Sequence, residues 1–246
     1  MLFDTTLLLA AAFAAGALNA VAGGGSFLTL PALMLTGVPA ISANATGTLA
    51  LLPGYLAGAW GFRHDIRPPP GLTPRALVAI SVLGGASGAT LLLLTPDSAF
   101  RRVVPWLLLL ATAAFAFGPR WMAARPRSAP PPAVAMLGVF AVTAYGGYFN
   151  GGVGILLLAL WGLLGQTQLH AMNGLKNQVS ALLTVIAGGI YVFGGLIAWP
   201  EALMMMGAAL IGGYLGARLS RRVPTRWLRR GIVTTGLTMS ALFFAR

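Results

Sequence analysis

Apolar residues run along this chain in long unbroken blocks rather than in the alternating or one-face patterns of water-soluble elements. Blocks at about 5–22, 41–62, 75–95, 98–118, 133–150, 168–193, 199–218 and 227–244 are each long enough to predict a helix that crosses a bilayer. Two shorter runs, about 25–37 and 151–164, each follow a cluster of glycines. At about 1.5 Å per residue they reach only about 20 Å, which predicts half-helices or shallow crossings of a core about 30 Å thick. Proline marks most joints, at Pro68-Pro69-Pro70, Pro74, Pro96, Pro119, Pro126, Pro130-Pro131-Pro132, Pro200 and Pro224. The pattern predicts an all-α polytopic protein of eight to ten membrane segments, with short broken helices after glycine-rich turns.

Composition agrees with the pattern. Of 246 residues, 57% are hydrophobic and only 8% charged, too few to coat a soluble globule, so a cytosolic enzyme is excluded. The first run has no basic stretch before it and leads straight into a glycine motif, so it reads as mature structure. Cysteine is absent, which removes disulfides, thiolate chemistry and Cys-based metal sites. The net charge of +12 sits in short loops and forms no arm or face for nucleic acid. It works instead as a topology signal. Arg63, Arg67 and Arg75 mark one loop, Arg120, Arg125 and Arg127 the central linker, and Arg218, Arg221, Arg222, Arg226, Arg229 and Arg230 the last loop. Counting crossings puts all three on the cytoplasmic side, with both termini extracytoplasmic.

The chain also repeats itself. Gly84-Gly85-Ala86-Ser87-Gly88-Ala89 answers to Gly212-Gly213-Tyr214-Leu215-Gly216-Ala217, and Phe100-Arg101-Arg102 to Leu228-Arg229-Arg230, both at an offset of 128. Gly24-Gly25 and Ala32-Leu33 answer to Gly151-Gly152 and Ala159-Leu160 at 127, and Asn44 to Asn173 at 129. One nearly constant offset predicts a duplication: a first repeat over 1–118, a cytoplasmic linker over 119–132 and a second repeat over 133–246. Five segments per half would insert the halves in opposite senses. Inverted repeats recur in secondary transporters that bind substrate near the midplane.

Two features carry candidate chemistry. The equivalent turns around Asn19, Gly23, Gly24, Gly25 and Ser26, and around Asn150, Gly151 and Gly152, each open a short helix. Backbone N–H groups there approach a ligand closely, and a helix N-terminus favours an anion. The second feature is Asn173-Gly174-Leu175-Lys176-Asn177-Gln178 inside an apolar span, with Asn173, Lys176 and Asn177 on one helical face. A lysine there is costly unless it is paired, and an anionic substrate is its expected partner. The matching stretch of the first half offers Thr46 and Thr48 without charge. Asp4, Asp65, Asp97 and Glu201 lie at segment edges, which disfavours an ion-coupling carboxylate or a hydrolase acid–base pair. No Ser/His/Asp set, HExxH or Walker motif appears, so neither an enzyme nor a metal or cofactor site is expected. Trp60, Trp106, Trp121, Trp199 and Trp227 fall where an aromatic belt belongs.

The first turn followed by Leu28-Thr29-Leu30-Pro31-Ala32-Leu33 resembles the opening of the TauE/SafE sulfite exporter family. The second half resembles that family's C-terminal pattern, through Asn173-Gly174-Leu175-Lys176, Gly194-Gly195-Leu196-Ile197-Ala198-Trp199, Gly212-Gly213-Tyr214-Leu215-Gly216-Ala217-Arg218 and Arg229-Arg230. The resemblance implies a bacterial inner-membrane carrier of small sulfur-containing anions such as sulfite, thiosulfate, sulfonates or sulfoacetate. By position it brings Gly23, Gly24, Gly25, Ser26 and Lys176 into the site. An anion-selective channel, or a membrane subunit of a larger complex, is the alternative. The expected partners are a small anion and the lipid bilayer, with homo-oligomerisation left open and no nucleic acid.

Overall fold

The structure, a computed structural model, describes residues 2–21, 23–123 and 131–219, and beyond them 233, 234, 237, 238, 240, 241 and 244. Arg125 and Arg127 of the linker, and Arg221, Arg222, Arg226, Trp227, Arg229 and Arg230 of the last loop, lie outside the described residues, as do the side chains of Arg120 and Trp121. Regular structure among the described residues is helical throughout: α1 (Leu2–Val21), α2 (Ser26–Leu35), α3 (Ala40–Ala50), α4 (Leu52–Gly61), α5 (Pro74–Leu94), α6 (Asp97–Ala123), α7 (Pro132–Tyr148), α8 (Val153–Leu163), α9 (Leu169–Phe193) and α10 (Trp199–Leu219).

Most boundaries follow from proline and glycine. Pro74 and Pro132 open α5 and α7, where the missing N–H would have had no helical partner. Thr73 completes the start of α5 by accepting a hydrogen bond from Ala76 N at 3.2 Å. The 41–62 block is two helices, not one. Pro53 cannot donate to the carbonyl of Leu49, and the chain tightens at Leu51, whose N–H bonds to Thr48 O, before α4 begins. The short runs form α2 and α8, of 10 and 11 residues, so each is shorter than a bilayer core is thick. At the central linker α6 continues through Pro119 to Ala123, further than the apolar run alone indicates.

Polarity is arranged inside out relative to a soluble protein. Leu83, Leu94, Leu137, Leu203 and Ile211 are exposed, while Asn19, Asn150, Asn173, Lys176 and Asn177 are buried. Leu2–Ala20, Pro74–Leu94 and Leu169–Phe193 are long and apolar enough to cross a membrane. Exposed leucines face hydrocarbon at no cost, and polar side chains find partners only within the bundle. Trp60, Trp106 and Trp199 are exposed at helix ends or outer faces, whereas Trp161 is fully buried in the cluster with Val139, Leu157 and Met172.

Small residues set the tightest packing. The main contact of α1 is with α10, and that of α5 is with α7. A Cβ on Gly84 or Gly88 would strike the backbone of α7 at Phe140 or Ala144, and one on Gly212 or Gly216 would strike α1 at Phe13 or Ala17. The two sets correspond at offsets of 128 for the glycines and 127 for their partners. Gly85 likewise meets Leu183, and Gly213 meets Gly54, 129 positions before Leu183. Close backbone approach of this kind holds helices together where no hydrophobic force acts between them. At the centre, α9 packs against α4, α5, α8 and α3.

Candidate functional site

Each glycine turn joins a long helix to a short one. Gly23 and Gly24 have φ of 82° and 91°, and Gly152 has φ of 78°, a left-handed backbone that side chains disfavour. The turns are also braced. Asn19 Oδ1 accepts the N–H of Gly25 at 2.7 Å, and the Tyr145 hydroxyl donates to Gly151 O at 2.6 Å. The turns meet in space, for a Cβ on Gly23 would lie 2.9 Å from the Gly154 backbone. Gly154 in turn adjoins the Lys176 stem, with its ideal Cβ position 3.3 Å from Lys176 Cδ.

Ending α1 and α7 inside the protein leaves their last carbonyls without helical partners. Side chains from across the fold supply them. Lys176 Nζ donates to Asn19 O near the end of α1 at 2.7 Å, and to Asn173 Oδ1 at 3.1 Å. Asn44 Nδ2 donates to Tyr148 O at the end of α7 at 3.1 Å, and the Tyr191 hydroxyl donates to Gly147 O. The negative end of the α1 dipole favours the ammonium. An ammonium has three N–H donors, so two protein acceptors leave Lys176 one more.

Lys176 is 0% exposed, so it does not snorkel to the interface. Buried polar atoms with no hydrogen-bond partner among the described residues include Asn19 Nδ2 and Ser26 Oγ at the first turn, both side-chain polar atoms of Asn150 at the second, and both of Asn177 on α9. The hydroxyl of Tyr55, on α4, lies beside the side chains of Asn19 and Asn150, one from each glycine turn. Tyr55 is a member of this cluster that the sequence does not single out. Unpaired buried donors are costly, and a bound oxyanion would accept from Asn19 Nδ2, Asn150 Nδ2 and the Ser26 hydroxyl, though not from the acceptor Asn150 Oδ1.

The structure thus brings together Asn19, Gly23, Asn173 and Lys176, with Asn150 reached through Tyr55, and Gly24, Gly25, Ser26, Gly151 and Gly152 in the turns themselves. The Gly25 N–H, a candidate anion donor by sequence, is already taken by Asn19. Asn177 packs its amide on Gly58 of α4. Thr46 and Thr48 make their hydrogen bonds away from Lys176. Thr46 Oγ1 accepts the N–H of Ala198, which lies beyond the end of α9, about 25 Å along the helix from Lys176. Thr48 returns its hydroxyl to Asn44 O at 2.7 Å, within α3.

The two ends of α9 differ. Beyond its C-terminus an open cleft of about 370 Å³ lies between the α2–α3 and α9–α10 loops, lined by Thr36, Ser42, Ile197 and Glu201 among others. At its N-terminus His170 stacks on Phe62 at 5.9 Å, Gln166 Nε2 donates to Arg67 O at 2.7 Å, and Gly174 packs against Phe62 and Ile66.

A helical multi-pass membrane protein with broken helices meeting around an enclosed ammonium and spare hydrogen-bond donors has the architecture of a membrane transporter. The chain belongs to the sulfite exporter TauE/SafE family, whose profile matches residues 8–243. It is 29% identical to a probable membrane transporter protein of Haemophilus influenzae, over 96% of this chain and 92% of that protein. It is 27% identical to the probable membrane transporter protein YfcA of Escherichia coli, over 94% and 86%, and 25% identical to the probable membrane transporter protein ORF9 of Sinorhizobium sp, over 97% and 91%. No solved structure matches the chain.

Proposed function

We propose that this transporter carries a small sulfur-containing anion (sulfite, thiosulfate, a sulfonate or sulfoacetate) across a bacterial inner membrane by alternating access between two inverted repeats, with both termini extracytoplasmic. The observation that carries the reading is Lys176, fully buried and hydrogen-bonded to groups that carry no formal charge. An ammonium held there has affinity for a mobile anion that no fixed carboxylate competes for. Spare amide and hydroxyl groups of Asn19, Asn150, Ser26, Asn177 and Tyr55 would replace part of the anion's hydration shell. The family name and the substrate it specifies point to sulfur oxyanions. The matched glycine contacts in the two halves support the duplication.

Reconstituted protein tests the reading. Preloading vesicles with unlabelled sulfite should accelerate entry of labelled sulfite, which a carrier does and a pore does not. Discrete single-channel currents without counterflow would replace the carrier with an anion channel. If no sulfur anion is transported or raises the melting temperature of the purified protein, while cations or neutral solutes do, the anion reading fails.

A further inference from the structure

The charge inventory of the core says which anions fit. Lys176 is the one formally charged side chain among the described buried residues. The polar side chains of the proposed site, Asn19, Ser26, Tyr55, Asn150, Asn173 and Asn177, are neutral, as are the remaining buried polar residues described. The Lys176 ammonium also faces the carbonyl end of α1, whose partial negative charge offsets part of its own. A singly charged ligand beside Lys176 leaves the enclosed site electrically neutral. A doubly charged one leaves an uncompensated negative charge among amides, hydroxyls and glycine backbone. The cost of taking an ion out of water rises with the square of its charge, so a compact dianion gives up about four times the hydration of a monoanion of equal size. The N-termini of α2 and α8 and the neutral dipoles add only partial positive charge, so a single full charge, that of Lys176, faces the ligand.

We propose that the site selects singly charged sulfur oxyanions, namely sulfonates and hydrogen sulfite, over compact dianions such as sulfate and thiosulfate. The inference rests on the anion-carrier reading above and narrows its substrate class. Neutral donors suit this choice: the amides of Asn19 and Asn150 and the Tyr55 hydroxyl can engage the oxygens of a sulfonate without adding charge. The alkyl group of a sulfonate needs no polar partner, and Phe27 and Ile155, which flank Gly24, offer it apolar contact.

Methanesulfonate and sulfate make the test, because they share a face of three sulfur-bound oxygens and nearly the same size but differ by one charge. Each is titrated against purified full-length protein at one pH and constant ionic strength, with chloride as the reference salt and thermal unfolding as the readout. The expected result is an apparent affinity for methanesulfonate at least about tenfold tighter than for sulfate, with thiosulfate behaving like sulfate. Sulfate or thiosulfate binding as tightly as methanesulfonate, or more tightly, overturns the charge selection and leaves the anion carrier standing. If neither methanesulfonate, sulfate, thiosulfate nor sulfite shifts the transition, the carrier reading falls and this inference falls with it.

Discussion

Replacing Lys176 by methionine separates a ligand-binding ammonium from one that only holds the fold together. Methionine keeps roughly the length of the lysine stem, so the packing against Gly154 survives and no large cavity opens. The substitution removes the donors to Asn19 O at 2.7 Å and Asn173 Oδ1 at 3.1 Å. Two acceptors left buried without partners cost about 1–3 kcal/mol each. Against that, the variant no longer buries an ammonium, whose desolvation costs several kcal/mol even after relaxation. The terms are of similar size and opposite sign, so the unliganded variant should melt within a few degrees of the wild type. Ligand response behaves differently. A monoanion at about a hundred times its dissociation constant stabilises the wild type by about 2.7 kcal/mol. At about 2–4 °C per kcal/mol for a chain of this size, that is a rise of roughly 5–11 °C. Lys176→Met should lose nearly all of it. Melting curves in detergent with and without methanesulfonate read both quantities. A variant that melts far below the wild type yet keeps the full methanesulfonate shift would show that Lys176 serves only to complete the end of α1, and would refute its assignment to the site.

Other expectations follow from single contacts. Gly23→Ala should abolish transport and lower stability by about 1–3 kcal/mol, because its φ is left-handed and its Cβ would press on the Gly154 backbone; denaturation and counterflow assays check this together. Asn44→Ala leaves Tyr148 O unpaired at the end of α7 and should cost about 1–3 kcal/mol in chemical denaturation, with the same loss at any salt concentration. Asp97→Ala removes the acceptor for Ile41 N at the start of α3 and the partner of Arg101, and should cost about 1 kcal/mol. Asp97→Asn should cost less, since its amide oxygen still accepts from Ile41 and the exposed ion pair contributes little at physiological salt.

Much of this architecture is legible in the sequence because bilayer physics is local. Twenty apolar residues declare a crossing wherever they occur, and Gly84-Gly85 or Gly212-Gly213 declare a close helix contact without naming the partner. The glycine turns are legible for the same reason, since only glycine suits the backbone at Gly23 and Gly152. What the chain does not disclose is pairing across distance. Lys176 reads as a cation awaiting an anion because its protein acceptor, Asn19 O, lies 157 positions away and is a main-chain atom that any residue could supply. Thr46 reads as site lining because it is polar within an apolar span, yet its hydroxyl belongs to the start of the α9–α10 connection. Tyr55 goes unnoticed for the opposite reason: a tyrosine next to Pro53-Gly54 in an apolar run looks like packing, and only the fold sets its hydroxyl between Asn19 and Asn150. The break at Leu51 is hidden as well, because Pro53 is equally suited to a kink within one helix and to the start of another.

The helix α9 is continuous over 25 residues and grips both broken helices, the end of α1 through Lys176 and the end of α7 through Tyr191. Those two side chains start about 22 Å apart along its axis. A straight helix held at two points behaves as a stiff beam and does not absorb a displacement at one end by bending. Drawing α1 away from α7 must therefore release one grip or carry α9 along as a unit. Releasing a single hydrogen bond costs only about 1–3 kcal/mol, well within what differential binding of one small anion supplies. If, on the carrier reading proposed above, an anion drew the Lys176 ammonium off Asn19 O, the joint between α1 and α9 would loosen.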